Sequence, residues 1–255
     1  MLVIVGLGNP GGAYANHRHN IGYRAVEAIH ERHRFGPWRQ RFRSQVAEGT
    51  LAGRKVLLMK PATYMNLSGE AVGEATRFYK VPNADLVAIH DELDLPPGKV
   101  RIKAGGGDGG HNGLRSLTAH LGPDYRRVRI GIGHPGHKDR VSGYVLHDFA
   151  KADSAWIDPL IDSLATHATM LAEDKDAALA SRLHLDVARA LGEHAGGKEK
   201  PAKDKATRSQ AASEETKPAE GSSQPAQRNS EADSGNAPQG PLARGLRRLF
   251  GGRSD

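Results

Sequence analysis

The chain contains no cysteine in its 255 residues, which excludes a disulfide framework, a thiolate nucleophile and any cysteine-ligated zinc site. Any catalysis must rest on oxygen and nitrogen groups. No apolar run approaches the ~18 residues that a membrane-spanning helix requires. The opening Met1-Leu2-Val3-Ile4-Val5 is short and has no basic leader, unlike a secretory signal. These absences predict a soluble, cytoplasmic protein with no stable membrane association. A further absence divides the chain. From Ala195 to Gly240 there is no Val, Ile, Leu, Met, Phe, Trp or Tyr, too little apolar surface to offset the entropy of ordering. The expected organisation is therefore a folded domain over 1–194, a disordered linker over 195–240, and a short basic amphipathic segment over 241–255. In that last segment Leu242, Leu246, Leu249 and Phe250 share a helical face beside Arg244, Arg247 and Arg248.

The charge is unevenly spread. The linker carries seven cations and seven anions, and the final fifteen residues carry four Arg against one Asp, so of the total +7 the first 194 residues hold +4. A modestly basic domain favours a polyanionic partner, although basic proteins without a nucleic-acid role share that balance.

Hydrophobic patterning predicts an α/β fold. Leu2 to Val5 and Leu86 to Ile89 are continuous apolar runs of the kind found in strands buried on both faces. Runs at 44–51 and 54–59 flank Ala52-Gly53 as a hairpin, 99–103 alternates basic and apolar residues, and 127–132 reads as a further strand. Helical spacing covers Asn20 to His33, Ser68 to Lys80 with Ser68 near its N-cap, Leu114 to Leu121, and two closing helices over 153–173 and 175–192. Polar residues His90-Asp91-Glu92 end the second buried strand, where α/β sheets place their chemistry.

Several motifs lead nowhere. Gly6-x-Gly8-x-x-Gly11 formally matches a dinucleotide fingerprint, but Pro10 and the following loop delay the helix to about Asn20, so no helix N-terminus meets a pyrophosphate. The glycine loop 105–113 lacks the Gly-Lys-Ser/Thr ending of a phosphate-binding loop. Its five glycines before His111 and Asn112 instead fit a backbone that approaches a ligand closely. His17-Arg18-His19 has no third metal ligand at recognisable spacing, and no Gly-x-Ser-x-Gly nucleophile is present. Direct attack by water remains, which needs a neutral base, an orienting carboxylate and polar amides at the carbonyl. His19, Asp91, Asn9, Asn66 and Asn112 fit those roles; asparagine at loop junctions also fits turn and cap chemistry, and spacing leaves both readings open.

Gly6-Leu7-Gly8-Asn9-Pro10-Gly11, Tyr14, Arg18-His19-Asn20, Lys60-Pro61-x-Thr63-x-Met65-Asn66-x-Ser68-Gly69, His90-Asp91-Glu92-Leu93-Asp94 and Gly109-Gly110-His111-Asn112-Gly113 occur in this order. Together they resemble the bacterial peptidyl-tRNA hydrolase family, and the similarity runs from Met1 to about Leu191. The resemblance implies a monomeric single-domain α/β fold with a twisted, mixed sheet flanked by helices. It also implies a translation enzyme, without cofactor or metal, that cuts the ester between a peptide and the 3′-terminal ribose of tRNA. On this resemblance His19 is the general base, Asp91 its orienting carboxylate, and Asn9 the amide beside the scissile ester. Tyr14, Met65, Asn66, His111 and Asn112 line the substrate crevice, and Lys103 with Arg129 grips the 5′ phosphate of the tRNA. The implied partner is peptidyl-tRNA, with no DNA.

Overall fold

The alternation of apolar side chains along the strands fixes the layering. In the computed structural model, which describes residues 1–196, β1 (Leu2–Gly6) sends Leu2 and Ile4 into one apolar cluster and Val3 and Val5 into another. Every side chain of the run is buried, as a strand covered on both faces requires. The same partition recurs in β4 (Arg54–Pro61), where Val56 and Leu58 oppose Leu57 and Met59, and in β5 (Leu86–Glu92), where Val87 and Ile89 oppose Leu86 and Ala88.

With β2 (Arg39–Arg41), β3 (Ser44–Leu51), β6 (Val100–Ala104) and β7 (Arg126–Gly131), these strands form one seven-stranded sheet in the order β2-β3-β4-β1-β5-β7-β6. β1, β4, β5 and β7 are mutually parallel, while β2, β3 and β6 run antiparallel to their neighbours. The sheet is thus mixed, as expected. Helices α1 (Ile21–Arg32), α5 (Ser154–Thr166), α6 (Thr169–Ala172) and α7 (Asp176–Gly196) cover one face; α2 (Ser68–Tyr79) and α3 (Asn112–Leu121) cover the other. A short helix, α4 (Val141–Val145), stands near the C-terminal ends of the parallel strands.

One close backbone approach seats the first helix. A Cβ on Gly6 would lie 2.1 Å from the Gly22 carbonyl oxygen, and one on Gly22 would lie 2.5 Å from the Leu7 nitrogen, so α1 rests directly on the end of β1. The chain between them must then fold back above the sheet, and it carries His19 in a 3-10 turn, Arg18–Asn20.

The structure departs from the sequence reading at three places. β2 has no apolar alternation and exists because Phe42 and Arg43, at φ +53° and +49°, turn the chain back onto β3 while the Phe42 side chain is buried. α4 is too short to show periodicity. The helix expected over 153–173 is two helices, because the chain breaks at His167, whose own N–H ends α5 on the Ser163 carbonyl. Ser68 is the first residue of α2, next to its N-cap as expected, and its hydroxyl donates to the Met65 carbonyl at 2.8 Å. α7 runs through Gly196; the linker and amphipathic segment expected over 195–240 and 241–255 otherwise lie outside the described residues. No helix among the described residues is long and apolar enough to cross a membrane.

Candidate active site

The C-terminal ends of β1, β4 and β5 converge on a cleft of about 920 Å³. Its lining includes Asn9, His19, Met65, Asn66, Asp91, His111 and Asn112, brought from five separate stretches of chain. The 3-10 turn before α1 and the last residues of β5 place the His19 Nδ1 atom 2.9 and 3.0 Å from the two Asp91 carboxylate oxygens. An ionised carboxylate only accepts, so Nδ1 carries the hydrogen and the lone pair of a neutral ring lies on Nε2. Both residues are buried, at 7% and 3% exposure.

That burial would raise the Asp91 pKa, but the neighbouring His19 and His111 rings and their hydrogen bonds hold it well below the usual carboxylate range. For His19, burial pulls the pKa down, yet the Asp91 charge and hydrogen bond outweigh it and the net shift is upward from 6.5. The pair is therefore an ionised carboxylate holding a base that titrates above the ordinary histidine value.

His111 completes the cluster. Its Nδ1 accepts the N–H groups of Gly113 and Leu114 at 3.1 and 3.3 Å, capping α3, so its hydrogen is on Nε2, which donates to Asp91 Oδ1 at 3.0 Å. Ligand atoms of His19, Asp91 and His111 lie within 4.8 Å of one another, a spacing that suits a cation. The chemistry of the donors argues otherwise, since His111 Nε2 is protonated and His19 Nδ1 is committed to the carboxylate. Beneath them His90 donates from Nδ1 to the Asp91 carbonyl at 2.7 Å. Burial first, and then the neighbouring His111 ring, push its pKa down to about 3.

Asn9 is held on three sides. Its N–H donates to Asn20 Oδ1 and its carbonyl accepts from Asn20 Nδ2, both at 2.9 Å, while its own Oδ1 accepts the Met65 N–H at 2.8 Å. With Oδ1 engaged, the Nδ2 donors are what Asn9 offers to the cleft. Asn112 is similar, since its Oδ1 accepts from Arg115 Nη1 at 3.0 Å. Asn66 is exposed in the turn Met65–Leu67.

The other expected residues are placed differently. Tyr14 is outside the cleft lining and packs edge-on against His17, ring centroids 5.3 Å apart. His111 uses both ring nitrogens within the protein. Lys103 and Arg129 share one face of the β6–β7 ladder as diagonal neighbours, Lys103 standing opposite Arg127 and Arg129 opposite Arg101. Lys103 is exposed, whereas Arg129 Nε donates to Glu92 Oε2 at 2.9 Å.

Sequence reasoning did not assign Asn20, Glu92 or Arg18. Asn20 sits inside the quoted Arg18-His19-Asn20 motif, and its role as a backbone clamp for Asn9 needs the fold to be seen. Arg18 donates to the Tyr144 and His147 carbonyls at 3.3 and 3.4 Å and lies 4.3 Å from the Tyr144 ring centroid, tying the turn that holds His19 to α4.

Known proteins share this arrangement of elements and its sequence. A family model described as peptidyl-tRNA hydrolase matches residues 3–190. The peptidyl-tRNA hydrolase of Rhizobium leguminosarum bv. trifolii (strain WSM2304) is 55% identical over 255 residues, covering all of both chains. That of Rhodospirillum centenum (strain ATCC 51521 / SW) is 58% identical over 185 residues, 72% of this chain and 82% of the other. Among solved structures, the crystal structure of peptidyl-tRNA hydrolase from Acinetobacter baumannii superposes with a TM-score of 0.68 at 39% identity, covering 72% of this chain and 94% of that one. On coverage and identity of this extent, the chain belongs to the peptidyl-tRNA hydrolase family and is a hydrolase acting on an ester bond.

Proposed function

We propose that the cleft hydrolyses the ester of peptidyl-tRNA by direct attack of water, with His19 as the general base. The observation that carries this reading is the His19 Nδ1–Asp91 contact at 2.9 Å inside the cleft. Asp91 fixes the ring so that Nε2 takes a proton from water and stabilises the imidazolium that forms. The attacking oxygen bonds to the ester carbon, the carbonyl becomes an oxyanion, and its collapse expels the ribose oxygen, which recovers the proton from His19. The Asn9 Nδ2 group, its partner oxygen being tied to Met65, is a fixed donor for the developing oxyanion.

Asn66 and Asn112 offer amides to the peptide main chain, which every peptidyl substrate shares, so the peptide sequence need not be read. The exposed cation of Lys103, with Arg129 beside it, suits the 5′ phosphate of the tRNA. This assigns catalysis to Asn9, His19 and Asp91, peptide binding to Met65, Asn66 and Asn112, and phosphate binding to Lys103 and Arg129.

The test is deacylation of N-acetyl-aminoacyl-tRNA by the full chain in EDTA. Wild type is expected to turn over, and His19→Ala to lose about 10² to 10⁴ in kcat with its thermal unfolding unchanged. Activity within tenfold of wild type in the variant removes His19 from the mechanism.

A further inference from the structure

Beneath the glycine loop lies a charged side chain that the proposed chemistry does not touch. Arg127, the second residue of β7, is 1% exposed and is among the largest fully buried side chains of the described residues. It stands on the same face as Tyr125 and Arg129, opposite Lys103 of β6. No carboxylate among the described residues pairs with it. Its Nη1 donates to the Gly107 carbonyl at 2.7 Å and its Nη2 to the Pro123 carbonyl at 3.3 Å, while Nε is buried without a partner. The guanidinium rests 4.5 Å from the Tyr125 ring centroid.

Burying a cation without a counter-ion is unfavourable. An unbranched apolar side chain would fill much of the same space without that penalty. What a guanidinium adds is a rigid fork of donors, and here the fork spans the chain entering α3, at Gly107, and the chain leaving it, at Pro123. Tyr125 adds to the same docking: its hydroxyl donates to the Leu114 carbonyl at 3.3 Å and lies 3.3 Å from Thr118 Oγ1, which donates to Asp108 Oδ1 at 2.8 Å. The loop held in this way needs holding. Gly105, Gly106, Gly109 and Gly110 all adopt positive φ, and such a segment loses much conformational freedom when ordered. At its end stand His111, bonded to Asp91, and Asn112.

We infer that Arg127 is a positioning residue for the ester hydrolysis: by gripping Gly107 and Pro123 it sets where the glycine loop and the first turn of α3 present His111 to Asp91 and Asn112 to the substrate. The inference rests on the reading of His19, Asp91 and Asn112 as the reacting and binding groups. It also separates Arg127 from its neighbours Lys103 and Arg129, since its hydrogen bonds all go to the protein's own backbone.

Arg127→Met and Arg127→Lys test it in the full chain, beside wild type and His19→Ala. The substrates are N-acetyl-aminoacyl-tRNA and the same ester on a short CCA oligonucleotide lacking the tRNA body and its 5′ phosphate. A loosened loop is expected to lower kcat/KM by about tenfold to a hundredfold for Arg127→Met on both substrates, with faster amide exchange over 106–110. Arg127→Lys, which keeps the charge but not the fork, is expected to recover only part of the loss. Three results overturn the inference: Met-variant kinetics within twofold of wild type, a loss confined to the full tRNA, or wild-type kinetics in the Lys variant. The Lys variant decides alone if the Met variant does not fold. Failure of wild type itself to cleave, or of His19→Ala to lose activity, refutes the underlying reading instead.

Discussion

The floor and the rim of the cleft are built on different principles. On the floor, Asn9, His19 and Asp91 are each at most 7% exposed and hydrogen-bonded to other parts of the protein. They sit at strand ends or in a turn pressed against α1. On the rim, Asn66 and Asn112 are exposed, on a turn and a helix start, and Lys103, outside the cleft lining, is exposed on an edge strand. The proposed roles suit this difference: a proton transfer tolerates little displacement and calls for groups locked before substrate arrives, whereas groups proposed to meet many different peptides and tRNAs gain from staying solvated and adaptable.

Substitutions on the floor are expected to cost rate, and those on the rim binding. The largest of the remaining effects belongs to Asp91→Asn, which should lower kcat/KM by at least about 10². It should also move the acid limb. On the proposed mechanism His19 acts as a base when neutral, and Asp91 is what lifts its pKa above 6.5, so wild-type activity should be half-maximal above that value and the variant's at lower pH. Identical limbs in the two pH profiles would show that the carboxylate does not tune the base.

Asn9→Asp sharpens the comparison by holding packing nearly constant. The acceptor for the Met65 N–H is kept, and the donor facing the cleft is replaced by an acceptor. A loss of about 10² in kcat with KM and unfolding temperature near wild type is expected; a rise in KM alone would make Asn9 a binding residue like those of the rim. The smallest effect is expected at the exposed edge strand β6. Lys103→Ala should raise KM by about threefold to tenfold and reduce the salt dependence of kcat/KM, and the difference should vanish on substrate whose 5′ phosphate has been removed. An equal effect on both substrates would place Lys103 elsewhere on the tRNA.

Much of the scaffold was legible because burial leaves a periodic trace. β1 and β5 are apolar on both faces and appear as unbroken runs; α1 and α2 show one apolar stripe each. β2 left no such trace, for Arg39, Gln40 and Arg41 are all exposed and their turn uses Phe42 and Arg43 where glycine or asparagine would have signalled a hairpin. In the site, the family motifs marked Asn9, His19, Asp91 and Asn112 as candidates, but their spacing along the chain carried no distances. The ring of His111 illustrates the limit. Nothing local to Gly110-His111-Asn112 states that one nitrogen caps α3 while the other reaches a carboxylate twenty residues back.

The amino-acid order alone determined which segments would be strands and helices, which faces would be buried, and which residue types were available for chemistry without thiols. Only the tertiary structure decided which polar groups meet. Strand order β4-β1-β5 carried Met65, Asn9 and Asp91 to one end of the sheet, and the contacts made there assigned the hydrogen on each imidazole and the free donors of Asn9. The physical reason is that apolar burial is non-directional and repeats along the chain, whereas a hydrogen bond is directional and short, so its partner is chosen only where separate elements cross.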